Sequence, residues 1–173
     1  MTSASLIANR HQSQLVMVDM QEKLASVMPE AISQVLKNCA VLLQAASLLD
    51  VPIIFTEQYP KGLGNTMPDL MAHLSNKTSV EKTAFSCCAE PTFNRRLFGD
   101  KPQVILMGME SHICVLQTAL DLLKVGKQVL VVEDAVISRN PSNKENALNR
   151  LRQAGVLVCL LYTSPSPRDR TRS

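Results

Sequence analysis

The sequence predicts an α/β domain with a mostly parallel sheet and right-handed crossovers. Three observations carry that expectation. Short apolar runs alternate with amphipathic stretches, and the runs are almost continuously apolar, as strands covered on both faces must be. The 46% hydrophobic content is largely aliphatic, with 3% aromatic residues and no Trp, a composition suited to helices packed on such a sheet. At 173 residues the chain fits one domain.

The elements follow in order. Leu15, Val16, Met17 and Val18 form a buried strand closing at Asp19. Over 29–49, Ile32, Val35, Leu36, Cys39, Leu42, Leu43 and Ala46 recur at helical spacing behind Pro29, which suits a first turn. A second strand spans 51–55, and 56–69, with Gly62, Gly64 and two prolines, reads as an irregular loop. A short helix over 67–74, an extended piece over 79–83 and a helix over 89–98 fill the middle. The second half is plainer. A strand over 103–107 ends at Gly108, a helix over 111–124 is stopped by Gly126, and a strand over 128–132 ends at Glu133 and Asp134. Pro141 and Ser142 open a helix striped by Ala147, Leu148 and Leu151 that ends near Gly155, and Val156 begins a last strand.

Residues 1–12 read as a lead and 13–158 as the domain. Composition then shifts to YTSPSPRDRTRS, so 159–173 is expected to be a non-native or disordered tail. CLLYTSPSPRD resembles the translation of an adaptor used in sequencing libraries, which excludes it from functional reasoning.

Charge narrows the function classes. The formal net charge is +3, and leaving out Arg168, Asp169, Arg170 and Arg172 reduces it to +1, so neither nucleic acid nor an anionic membrane is the expected partner. No apolar run approaches the roughly 20 residues of a membrane span, and the N-terminus lacks a signal-peptide core, which makes the cytoplasm the expected location. Five cysteines without a CxxC pair suggest neither a disulfide framework nor a zinc site.

Ligands of open parallel sheets bind beyond the carboxyl ends of the strands, where connections reverse direction. That rule selects Asp19, Thr56 and Glu57, the stretch from Gly108, and Glu133 with Asp134. In a doubly wound order Asp19 faces GMESHIC, and Cys114 lies in the first turn of a helix, where the dipole favours a thiolate. Taken singly, a helical cysteine is more often core, Asp19 serves equally well as a cap, and Lys82 is more often solvated.

Together, VDMQ at the first strand end, EKTAFS mid-chain and GMESHICV opening a later helix resemble the Asp, Lys and Cys motifs of the isochorismatase-like hydrolase superfamily. LLDVPIIFTEQYPKGLG and TALDLLKVGKQVLVVEDAVISR sharpen the resemblance toward isochorismatase-domain hydrolases of undefined substrate. It implies a three-layer, doubly wound, mostly parallel sheet with helices on both faces in a Rossmann-like strand order, with Cys114 as nucleophile, Asp19 as its base and Lys82 as stabiliser of the thiolate and of developing charge. It further implies a cis peptide at Met109–Glu110, with the Glu110 and Cys114 amides as oxyanion hole. A terminal helix of the family is expected to be missing here.

Relatives that bind metal carry an Asp-x-His segment where this chain has Glu57, Gln58 and Tyr59, so no metal and no cofactor is expected. Tyr59, Phe85 and His112 are candidate pocket walls, while Cys39, Cys87 and Cys88 are read as structural. The expectation is a hydrolase acting on small amide-like or other C–N substrates and assembling as a homo-oligomer, with the 29–49 helix as one possible interface. The alternatives are non-covalent vinyl-ether hydrolysis by Asp19 and Lys82, as in true isochorismatases, and a non-catalytic oligomeric scaffold.

Overall fold

The computed structural model describes residues 7–161. Six strands form one sheet, β1 (Ser13–Val18), β2 (Ile53–Gln58), β3 (Val80–Lys82), β4 (Gln103–Met109), β5 (Gln128–Ile137) and β6 (Leu157–Cys159), ordered β3-β2-β1-β4-β5-β6. Every neighbouring pair is parallel. This is the doubly wound order expected, and its connections reverse between β1 and β4.

Alternation along the strands sends side chains to two cores. Leu15, Met17, Phe55 and Met107 meet Val35, Cys39, Leu43 and Ala46 of α2 (Ile32–Leu48) and Leu70 of α4 (Pro68–Met71). Val16, Val18, Val104, Leu106 and Val131 meet the opposite layer. That layer comprises α5 (Pro91–Arg96), α6 (Leu116–Lys124) and α7 (Pro141–Ala154), through Phe93, Ala119, Leu122, Leu148 and Leu151. α7 starts where Pro141 fixes its first turn and Asn140 Oδ1 accepts from the Ser142 N–H.

Several boundaries depart from expectation. The 56–69 segment holds helical turns, α3 (Pro60–Leu63) and the start of α4, and α1 (Glu22–Ala25) follows β1. β5 does not end at Val132 but continues to Ile137. Between Leu106↔Val131 and Gly108↔Val136 it spends five residues against two of β4, so Glu133 and Asp134 lie inside an irregular strand. Arg152 pairs with Glu133 at 3.4 Å, and Asp134 Oδ1 accepts from the Leu161 N–H, so both acids are used away from the strand ends. β6 extends through Cys159, past the domain end expected at 158, while the lead's 1–6 and the tail's 162–173 lie outside the described residues. No helix among the described residues is long and apolar enough to cross a membrane.

Gly108 sets the spacing at the reversal point. Its φ is +124°, and a Cβ there would sit 2.1 Å from the Val18 carbonyl oxygen, so only glycine lets β4 lie this close to the end of β1.

Candidate active site

Three of the predicted residues converge at that point. Asp19 follows β1 in a left-handed conformation, φ 51°, that aspartate tolerates better than most residues. Its N–H donates to the Thr56 carbonyl at 3.2 Å, which ties the turn to β2. Lys82 ends β3, and Cys114 lies in a π-helical turn, Ser111–Val115, leading into α6. The peptide between Met109 and Glu110 is cis, at the position the resemblance implied.

The Lys82 ammonium is 2.8 Å from Asp19 Oδ2 and 3.5 Å from Cys114 Sγ, with the Asp19 and Lys82 side chains wholly buried. It also donates to Gln58 Oε1 at 2.6 Å, the Phe85 carbonyl at 2.8 Å and the Ala84 carbonyl at 3.1 Å. Four oxygens and a sulfur thus surround a group with three hydrogens. The ammonium has no donor to spare for a substrate oxygen; its charge acts on the sulfur and on Asp19. The other oxygen of Asp19, Oδ1, accepts from Thr56 Oγ1 at 2.7 Å.

Electrostatics modify one expectation. Burial, then the Asp19 charge, push the Cys114 thiol up to about 12 despite the opposing pull of Lys82. A resting thiol, rather than the thiolate a helix dipole alone would favour, therefore occupies the site, and a base must take its proton. Burial works to lower Lys82, but the Asp19 charge and the neighbouring thiols outweigh it and hold the ammonium above its ordinary value. The lysine stays charged.

The other candidates lie on the rim or in support. Tyr59 and Phe85 are 56% and 52% exposed; the Tyr59 N–H donates to the Lys82 carbonyl, and the Phe85 carbonyl holds the Lys82 ammonium. His112 Nδ1 lies 2.8 Å from Ser138 Oγ, and Glu110 Oε1 accepts from the Arg139 N–H at 3.0 Å. Glu57 takes no part in the cluster: its carboxylate accepts from Thr66 N–H, Thr66 Oγ1 and Ser79 Oγ. Cys87, read as structural, is fully buried with its Sγ 3.9 Å from Thr56 Oγ1.

Thr56 is one of the residues the strand-end rule selects, whereas Gln58 holds a place that the sequence does not announce. Their spacing of two places both on one face of β2, the strand beside β1, and that alternation is the signal that could have added Gln58 to Thr56.

Fold and site together define an isochorismatase-like α/β domain. A family model described as Isochorismatase domain matches residues 13–161, and the chain belongs to that family, whose members are hydrolases. The chain is 45% identical over 148 residues to Isochorismatase domain-containing protein 2 of Danio rerio, covering 84% of this chain and 73% of the relative. MAR1 ribonuclease of Caenorhabditis elegans superposes with a TM-score of 0.84 at 40% identity, covering 90% of this chain and 80% of that one. The YcaC gene product of Escherichia coli, an octameric hydrolase of unknown specificity, also has a TM-score of 0.84. At 23% identity over 93% of this chain and 81% of that one, it speaks to the fold alone.

Proposed function

We propose that the protein is a cysteine hydrolase that cleaves small amide-like or related C–N substrates through a covalent intermediate on Cys114. One observation carries this reading: a buried lysine in contact with both a carboxylate and a thiol. Moving the thiol proton to Asp19 leaves a neutral acid, an ammonium and a thiolate, with the same net charge as before. Burial therefore does not penalise the transfer as it would penalise a lone thiolate.

The thiolate attacks the substrate carbonyl carbon, and the oxyanion rests on the Glu110 and Cys114 amides, since the ammonium hydrogens are committed. Collapse breaks the C–N bond as Asp19 returns its proton to the leaving nitrogen, leaving a thioester. Water, deprotonated by Asp19, attacks the thioester, and the acid departs as the proton returns to Sγ. Tyr59, Phe85 and His112 shape the entrance. A homo-oligomer belongs to the same reading; light scattering tests it, and a monomer at every concentration would remove it.

The experiment is a screen of small amides for ammonia or amine release, with intact-mass detection of an acyl adduct. Wild type is expected to turn over at least one amide and to carry the adduct on Cys114. Cys114→Ala should lose both, and Asp19→Asn should lose about 10²–10⁴-fold in rate. Turnover persisting in Cys114→Ala but lost in Asp19→Asn would replace the covalent route with non-covalent hydrolysis by Asp19 and Lys82.

A further inference from the structure

The shortest contact of the Lys82 ammonium is to neither of its proposed catalytic partners but to Gln58 Oε1, at 2.6 Å. Gln58 and Lys82 are register partners across β2 and β3, and β3 is an edge strand of three residues. So short a strand supplies few backbone hydrogen bonds to hold its terminal residue in place.

The Gln58 amide is fixed from the other side. Its Nε2 donates to the Thr83 carbonyl at 2.8 Å, which decides the orientation, because a flipped amide would turn NH₂ toward an ammonium. The Gln58 backbone is clamped in turn by Gln21, a fully buried side chain. Gln21 Oε1 accepts from the Gln58 N–H at 2.6 Å, and its Nε2 donates to the Gln58 carbonyl at 2.9 Å and the Gly64 carbonyl at 2.8 Å. A chain of polar contacts, buried at Gln21 and Lys82 and half-buried at Gln58, thus runs from Gln21 through Gln58 to the ammonium.

We infer that Gln58 is a positioning residue that aims the Lys82 ammonium at the Cys114 sulfur. The inference rests on the reading of Asp19, Lys82 and Cys114 as the reacting set. Gln58 acts through the lysine, on thiolate formation, and does not touch the carbonyl under attack. A charge-assisted hydrogen bond to a neutral oxygen suits that role, because it orients the ammonium without neutralising it, as a carboxylate in its place would.

The test measures Cys114 alkylation by iodoacetamide from pH 7 to 10, read by intact mass, alongside thermal unfolding. Gln58→Met should slow alkylation about tenfold and displace the rate curve upward by about one pH unit. Gln58→Glu, isosteric and thus foldable where Met is not, should displace it further, because the new charge opposes thiolate formation. A purely architectural role predicts the opposite, a loosened sheet edge and faster alkylation; that result, or an unmoved curve in both variants, overturns the inference. Lys82→Met and Asp19→Asn run in parallel separate the two levels. If neither displaces the curve, the reading of the reacting set fails as well; if they displace it and the Gln58 variants do not, only the role of Gln58 falls.

Discussion

Two buried cysteines lie on opposite faces of the sheet, and their surroundings differ more than their burial. Cys39, on α2, is fully buried with Sγ 3.5 Å from the Ala135 carbonyl oxygen; Cys114, on the opposite face, is 8% exposed with Sγ 3.5 Å from an ammonium. Both thiols are pushed up to about 12, chiefly by burial, with an acid adding to it in each case, Asp134 for Cys39 and Asp19 for Cys114. Burial and acidity therefore do not separate a packing cysteine from the proposed nucleophile. The separating features are a cation within reach of the sulfur and an acid that shares its charge with that cation.

The comparison breaks most visibly at Lys82. Replacing it with Met takes the ammonium away from the buried Asp19 side chain, and should cost about 3–5 kcal/mol in chemical denaturation while displacing Cys114 alkylation to higher pH. A smaller loss would mean that water or a proton takes the place of the ammonium beside Asp19.

Selectivity comes next. Iodoacetamide in native buffer should modify Cys114 fully while Cys39 stays unmodified until denaturant is added; equal labelling would show that the two environments are alike in solution. Alkaline pH tests what the two thiols share. Each raised thiol keeps its proton in the folded chain above pH 9, whereas the unfolded chain releases it near the ordinary value of 9.0. Their stabilising contribution is therefore complete below about pH 9 and is lost as pH rises from there toward 12. Unfolding midpoints should stay level up to about pH 8.5 and then fall, less steeply in Cys39→Ala. The smallest expected effect is at neutral pH, where Cys39→Ala should cost about 1 kcal/mol and leave the Cys114 rate curve in place.

Much of this arrangement is legible in the chain. β1 and β4 announce themselves as apolar runs, and a parallel sheet that reverses between them brings Asp19 and Cys114 together. β5 reads as shorter than it is because Glu133 and Asp134 look like a strand end. The irregular pairing that carries the strand past them is made with β4, which is distant in sequence. Gln58 escapes for a similar reason: nothing adjacent to it indicates that its side chain will meet the ammonium of Lys82. The resting state of the sulfur departs from expectation because the helix dipole is a local property, whereas the burial and the acid that outweigh it are tertiary.

The missing Cβ of Gly108 divides what variation can change. Backbone atoms set the separation of β1 and β4 there, so exchanging side chains cannot widen that gap gradually. Tyr59, Phe85 and His112 stand outside that contact, two of them more than half exposed. A library meant to test the proposed hydrolase against new substrates should therefore randomise the rim and leave position 108 untouched.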